Sequence, residues 1–326
     1  MSATYAIEPV PSQDEQFEHP ALYYSGLDEF LAGTVPFVHD GLALDEPVAV
    51  AVPASRLEPL RVELGAAAQR VRFVNMAEVG RNPARILPDV LLAFADEHVG
   101  ATRVRIVSEP IWSGRSAEEY PACLQHEALI NLAFADSPAT ILCLYDTAGR
   151  TPEVLADVEA THPVVVDGGA LRASTGYSIE RVLADVNRPL PQPPQDRPLL
   201  VNAHLLGGGR QIAMAEARSA GLDEERVADV EMVANELLTN SIEHGGGTGL
   251  LRTWTENGHF LVEVQDSGQL LDPLAGRRRP GLLQYRGRGL YVVNQLADLV
   301  RISSTAGGTT VRAWFRLRVR RVRHWR

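Results

Sequence analysis

The sequence contains no lysine: all 31 of its Lys and Arg residues are arginine. That absence excludes any mechanism needing a lysine amine, including a Walker-type phosphate loop. So uniform a choice reads as a genome-composition bias and says nothing else about function. Cysteine is nearly as scarce, and Cys123 and Cys143 give no disulfide framework. No window approaches the run of about eighteen uncharged residues that a membrane span needs. Met1 to Glu18 is acidic and proline-containing, without an apolar run of signal-peptide length. A cytoplasmic protein without membrane association is expected. The net charge of −10 argues against general nucleic-acid binding. A length of 326 residues predicts about two domains with ample core.

What is present concentrates in Glu231-Met-Val-Ala-Asn-Glu-Leu-Leu-Thr-Asn-Ser-Ile-Glu-His-Gly245. Apolar residues recur at Val227, Val230, Val233, Ala234, Leu237, Leu238 and Ile242, the spacing of a core-facing helix. Glu236 and Asn240 stand four apart beside that stripe and project together. A carboxylate and a carboxamide so placed suit a magnesium-bound phosphate site, one orienting or deprotonating a nucleophile, the other ligating metal. An ordinary amphipathic helix with a wet polar face would look the same.

Two strand-like runs follow, Leu250 to Thr255 and His259 to Val264, with the hairpin signal Asn257-Gly258 between them. The second run ends in Asp266-Ser267-Gly268. A loop rich in Gly, Pro and Arg, about residues 269–286, leads to Gly287-Arg288-Gly289-Leu290 at the start of an apolar helix reaching about Ala297. Glycines there let phosphate oxygens approach free backbone N–H groups at the positive end of the helix dipole. A last strand pair, Leu299 to Ser304 and Thr309 to Leu317, is joined through Gly307-Gly308.

Glu236-x3-Asn240 with His244-Gly245, Asp266-x-Gly268, Gly287-x-Gly289-Leu290 and Gly308-Thr309 resemble the ordered motifs of the GHKL (Bergerat-fold) ATPases. The short first helix and lack of long insertions resemble their anti-sigma-factor serine kinase branch. The resemblance implies ATP and Mg2+ in a pocket between a mixed sheet and helices, under a mobile lid. It makes Asn240 the Mg2+ and phosphate ligand and Glu236 the catalytic base or a water-orienting carboxylate. Asp266 would accept the adenine amino group, Gly268 would let the base approach, and Gly287, Arg288, Gly289 and Leu290 would border the phosphates. Thr309 would lie near the adenine. Taken singly, Asp266-Ser-Gly also reads as a plain turn, Gly287-x-Gly as a loop-to-helix joint, and His244 as a helix-terminal residue. The run Arg277-Arg278-Arg279 reads as a solvated loop or, in a lid, as a contact to phosphates or a partner.

Asn187-Arg-Pro-Leu-Pro-Gln-Pro-Pro-Gln-Asp-Arg-Pro198 marks a stiff, extended linker, assigned to residues 181–199. A sensor histidine kinase needs a phosphoaccepting histidine on a dimerising hairpin just before its ATPase domain. Here prolines stand instead, and His204 falls in an expected strand, so histidine autophosphorylation is not expected.

Before the linker, strand and helix patterns alternate. Strands are expected at 47–52, 71–74, 102–108 and 139–145, and helices at 57–64, 83–98 and 118–135. This rhythm implies a mostly parallel α/β sheet of RecA- or Rossmann-like build. Polar residues gather at strand carboxyl ends, where such sheets bind ligands: Asn75, Glu109 and Tyr145-Asp146. His19-Pro-Ala-Leu-Tyr23, Glu29-Phe-Leu-Ala-Gly33, Gly80-Arg-Asn-Pro-Ala-Arg85, Glu109-Pro-Ile-Trp112, Gly114-Arg115, His126-Glu-Ala-Leu-Ile-Asn131, Cys143-Leu-Tyr-Asp146 and Thr161-His-Pro163 resemble the MEDS sensory domain of methanogen and methylotroph regulators. That resemblance implies sensing of a small molecule of unknown identity. The half lacks a Gly-Lys-Ser/Thr loop, so ATP is not expected there. Arg81, Glu109, Trp112 and Arg115, with Glu119, form either a polar ligand pocket or an ion-pair network. Cys123-x2-His126, with Cys143 and His162, offers a soft metal donor set. Buried cysteines with a hydrogen-bonded histidine are the more ordinary reading.

The expected organisation is a disordered N-terminus (1–16), a sensory α/β domain (17–180), the linker (181–199), an α/β sandwich of the Bergerat ATPase fold (200–318) and a basic tail (319–326). Solvation is the simplest reading of the tail arginines. The function implied is a regulator that binds Mg-ATP and phosphorylates a serine or threonine of an anti-sigma antagonist protein. The alternative is an ATP-gated module that sequesters a sigma factor with little turnover. Family members often pair through the ATPase sheet, so a homodimer is among the expectations.

Overall fold

A computed structural model describes residues 17–194, 197–281 and 287–317. The readings of residues 1–16 as disordered and 319–326 as a basic tail lie outside them. The chain forms two compact units that part between Val186 and Asn187.

The first unit runs β1 (Phe17–Glu18), β2 (Pro20–Tyr24), α1 (Gly26–Ala43), β3 (Val48–Val52), α2 (Ala54–Leu64), β4 (Val71–Asn75), α3 (Met76–Val79), α4 (Pro83–Ile86), α5 (Leu92–Glu97), β5 (Val104–Ser108), α6 (Tyr120–Ala133), β6 (Ala139–Asp146), α7 (Pro152–Thr161), β7 (Val164–Asp167), β8 (Ala170–Ala173) and α8 (Ile179–Val186). Its sheet has the order β4-β3-β5-β6-β2-β7-β8, with β1 also paired to β6. Every pairing is parallel except β7 with β8. All five residues of β3 and the first seven of β6 are buried, as strands covered by helices on both faces must be. Both β1 and β2 run beside β6, Phe17 opposite Ala139 and Ala21 opposite Cys143, so His19 sits at the joint between them.

The sequence pattern predicts one helix over 83–98; the chain instead passes from α4 through a π-helical turn at Leu87–Leu91 into α5. Pro88 lies inside that turn. A proline has no N–H and crowds the carbonyl four residues earlier, and a wider turn relieves both.

The second unit runs β9 (Leu199–Asn202), α9 (Leu206–Ser219), α10 (Glu224–His244), β10 (Thr248–Glu256), β11 (His259–Asp266), α11 (Gly289–Leu296), β12 (Leu299–Thr305) and β13 (Gly308–Arg316). Its sheet is antiparallel throughout in the order β12-β13-β11-β10-β9. Asn257 and Gly258, both at positive φ, turn β10 into β11, the backbone a two-residue hairpin requires. Val227, Val230, Val233, Ala234, Leu237 and Leu238 of α10 meet Phe260, Val262, Val264, Val311, Ala313 and Phe315 of the sheet in one core. Ser241, not Ile242, is the last buried residue of that helix face. His204 lies in a turn beyond β9, because that strand ends at Asn202.

Helix α8 occupies the first residues of the stretch read as a linker, with Val182 buried beside Leu124, Ala128 and Ala160. Asn187 then bonds to the second sheet: its Oδ1 accepts from Ser304 N at 2.7 Å and its Nδ2 donates to Ser304 O at 2.6 Å. Pro191 O accepts from Arg312 Nη2 at 2.6 Å. The residues after Val186 thus lie against the second unit, and no helix forms among the described residues of 187–198.

Candidate functional site

Helix α10 begins at Asp223, whose side chain accepts from Arg226 N at 3.0 Å, and carries Glu224 and Glu225 in its first turn. Both features stabilise a helix start. Arg226 in turn bonds Asp229, Asp298 and the carbonyl of Leu296 at the end of α11, each at 2.7–2.8 Å. The two helices are thereby locked together, and the polar side of α10 faces the start of α11.

Between them and the sheet lies a cleft of about 950 Å³ lined by Glu236, Asn240, Asp266, Gly268, Gly287, Arg288, Gly289, Leu290 and Thr309. All nine residues singled out in the sequence for this domain therefore share one cavity. A methyl group at Gly289 would stand 2.9 Å from Glu236 Oε2 and 3.1–3.2 Å from the Asn240 amide atoms. The carboxylate and the carboxamide thus point at the first turn of α11, where free N–H groups and the helix dipole favour anions.

At the sheet side, Asp266 is held by two hydrogen bonds, from Ser241 Oγ at 2.6 Å and Gly268 N at 2.8 Å. Each carboxylate oxygen keeps acceptor capacity beyond these. Gly268 packs so tightly that a Cβ there would lie 2.5 Å from His244 O and 2.9 Å from Gly245 Cα. Thr309 Oγ1 donates to Gly268 O at 2.9 Å and lies 2.8 Å from Ser304 Oγ, which accepts from Leu270 N at 2.7 Å. Of the run Arg277-Arg278-Arg279, read as a solvated loop or a lid contact, Arg278 and Arg279 line the cleft. Arg277 is buried, and burial pushes its guanidinium down to about 10.

The first unit has a smaller cavity of about 260 Å³, lined by Pro53, Ser55, Arg56, Glu109, Trp112, Ser113, Asp146, Ala148, Gly149 and Arg150. It lies beyond the carboxyl ends of β3, β5 and β6, where an open parallel sheet binds its ligands. Glu109 Oε1 accepts from Tyr24 OH at 2.9 Å, and Arg56 Nη2 bonds Asp146 Oδ2 at 3.2 Å. Burial pushes the Glu109 carboxyl up to about 7, against the lowering effects of Tyr24 and Arg56.

Residues 201–315 match the family described as histidine kinase-like ATPase domain, and residues 18–163 match MEDS, the methanogen/methylotroph, DcmR sensory domain. The chain is a MEDS domain followed by a histidine kinase-like ATPase domain. Similar solved structures include the RsbU and RsbW domains of a Mycobacterium tuberculosis protein, at 22% identity and TM-score 0.27 over 39% of this chain. This chain spans 33% of that one. The histidine kinase domain of the E. coli osmosensor EnvZ is 15% identical, TM-score 0.24, over 41% of this chain and 98% of its own. The Acinetobacter baumannii histidine kinase AdeS is 12% identical, TM-score 0.26, over 61% and 96%. Likenesses that slight carry no weight for this chain. Among the described residues no helix is long and apolar enough to cross a membrane.

Within the MEDS domain the structure divides the residues expected to form its pocket. Glu109 and Trp112 line the small cavity, whereas Arg81 and Arg115 are not among its lining residues. Arg115 instead donates to Pro110 O, Arg81 O and Gly80 O at 2.6–3.0 Å and stacks on Trp112 at 3.8 Å. A guanidinium spent on three carbonyls ties loops together. Arg56, Asp146 and Arg150 take the polar places; Asp146 was legible from its strand end, while Arg56 and Arg150 carry no motif. The proposed cysteine and histidine set also divides. Cys143 and His162 meet, but with His19 and Glu127. Cys123 lies 3.8 Å from Pro110 O, and His126 is not in the group.

Proposed function

We propose that the ATPase domain binds Mg-ATP in the large cleft and transfers its terminal phosphoryl group to a serine or threonine of an anti-sigma antagonist-type protein. The convergence of Glu236 and Asn240 on the first turn of α11 carries this reading. The cleft volume is that of a small-ligand site, and its donor set fits a nucleotide. Asp266 would accept the adenine amino group, and the α11 N-terminus would hold phosphate oxygens. The Asn240 amide oxygen would hold Mg2+, which when bound neutralises charge on the phosphates. Glu236 accepts the acceptor hydroxyl's proton as that oxygen bonds to phosphorus and ADP leaves. The proline-containing segment before β9 supports a protein acceptor over a histidine of this chain.

The MEDS domain would tune this activity through a small polar molecule bound by Glu109, Arg56 and Asp146. Incubation of the full chain with labelled ATP and candidate antagonist proteins tests the whole. Label on a serine or threonine, lost in Glu236→Gln, is expected. Transfer that survives Glu236→Gln removes Glu236 as base. ATP binding with no transfer to any candidate replaces the kinase by a nucleotide-gated module that sequesters a sigma factor.

A further inference from the structure

We propose that the MEDS domain holds one tetrahedral zinc-class divalent ion between His19, Glu127, Cys143 and His162. These four come from four places in the fold: the β1–β2 joint, α6, β6 and the end of α7. All four are 0–1% exposed, and their donor atoms lie within 4.8 Å of one another. His19 Nε2 is 3.4 Å from Glu127 Oε2 and 3.3 Å from Cys143 Sγ, and His162 Nε2 is 3.3 Å from the same Glu127 oxygen. Bonds of about 2.0–2.3 Å in a tetrahedral zinc site put its ligand atoms roughly 3.3–3.6 Å apart. Three of the six separations already have that scale, and the others lie within 4.8 Å.

The hydrogen bonds behind the cluster fix which atoms face inward. His162 Nδ1 lies 2.8 Å from Val158 O. A carbonyl only accepts, so Nδ1 carries a proton, and the neutral ring presents a lone pair at Nε2. Asn131 Nδ2 donates to Thr161 O at 2.9 Å, which turns its Oδ1 towards His19 Nδ1 at 3.2 Å. His19 Nε2 therefore also presents a lone pair. Two imidazole nitrogens and a carboxylate oxygen then converge within 3.4 Å, and with both rings neutral their lone pairs repel unless a proton or a metal cation stands among them. Among the described residues, neither Glu127 oxygen nor His162 Nε2 has a hydrogen-bond partner of acceptable geometry. Histidines held by a carbonyl and an amide on the far nitrogen are the usual second shell of a metal site.

Charge selects the ion. A divalent cation with one carboxylate, one thiolate and two neutral imidazoles is net neutral, the condition for a site without solvent. Binding forms the metal–sulfur bond and releases the Cys143 thiol proton to solvent. One sulfur and two nitrogens favour zinc over magnesium or calcium, which take oxygen. The ion would pin the β1–β2 joint to β6, α6 and the end of α7, beside the sheet that carries the small cavity.

Metal analysis and cobalt substitution of the full chain test this. The purified protein is expected to retain about one zinc per chain. Stripping it with chelator lowers the unfolding temperature by about 5 °C or more, and zinc restores it. Cobalt gives tetrahedral ligand-field bands and a thiolate-to-cobalt charge-transfer band. The charge-transfer band disappears in Cys143→Ser and persists in Cys123→Ser, which changes an equally buried thiol outside the cluster. A wild-type chain that holds no zinc, gains no stability from it and gives no tetrahedral cobalt spectrum overturns the proposal, whether or not the variants fold. So does a charge-transfer band unchanged in Cys143→Ser.

Discussion

At the scale of single residues, function rests on side chains whose neighbours leave them one orientation. Asp266 is fixed by Ser241 and Gly268, so Asp266→Asn keeps the size but loses a charged acceptor. Such a bond contributes about 1.5–3 kcal/mol, and ATP affinity should fall roughly 10- to 100-fold by calorimetric titration. Glu109 obeys a different rule. Its folded value, about 7, lies above that of an unfolded glutamate, so the folded state holds the extra proton between roughly pH 4.5 and 7. Stability from this group is therefore full below that window and declines as pH rises through it, by roughly 3 kcal/mol in all. Above pH 7 it is flat. Tyr24, Arg56, Asp146 and Arg150 surround the carboxyl. Urea unfolding at pH 5 and pH 8 should show Glu109→Gln losing less stability with pH than the wild type. An identical pH dependence in the two contradicts the assignment.

At the scale of elements, one stretch shows what the sequence pattern could and could not reveal. The α10 stripe, the Asn257-Gly258 hairpin and the glycines at α11 were legible because periodicity and turn chemistry are local. Gly289 facing Glu236 and Asn240 was legible only through motif resemblance, since more than forty residues separate them in the chain. Glu127 was hidden for a geometric reason: Cys123 and His126 share one helix face by spacing, yet the face of α6 that meets Cys143 and His162 carries Glu127 and, four residues on, Asn131. Spacing gave a helix face but not its direction. The alternate face of the second sheet holds another feature with no sequence signal. Arg312 and Glu263, each about 5% exposed or less, are paired at 2.8 Å, with Arg252 nearby and Trp254 and Trp314 against the guanidinium. Among the described residues, Arg312→Met leaves the buried Glu263 with Arg252 at 3.4 Å as its remaining ion-pair partner. Chemical denaturation should show a loss of about 3 kcal/mol, largely recovered when Glu263→Met is added.

At the scale of the whole molecule, the segment after α8 reaches the Gly268–Thr309 end of the cleft. Asn187 bonds both backbone groups of Ser304, Ser304 Oγ meets Thr309, and Thr309 bonds Gly268 O. Asn187→Ala removes the first of these without touching the cleft lining. It should change ATP affinity about 3- to 10-fold, a coupling of the usual size, with far-ultraviolet circular dichroism unchanged. A fragment starting at Asn187 should also melt above one starting at Leu199, because only the former keeps the contacts to Ser304 and Arg312. Glu236, Asn240 and Asp266 are proposed to form one Mg-ATP site. Calorimetric titration of ATP into the full chain, with and without Mg2+, tests it most directly. One site is expected that tightens with Mg2+, loses that dependence in Asn240→Ala and weakens at least tenfold in Asp266→Asn. Binding of equal strength and equal Mg2+ dependence in all three proteins would contradict it.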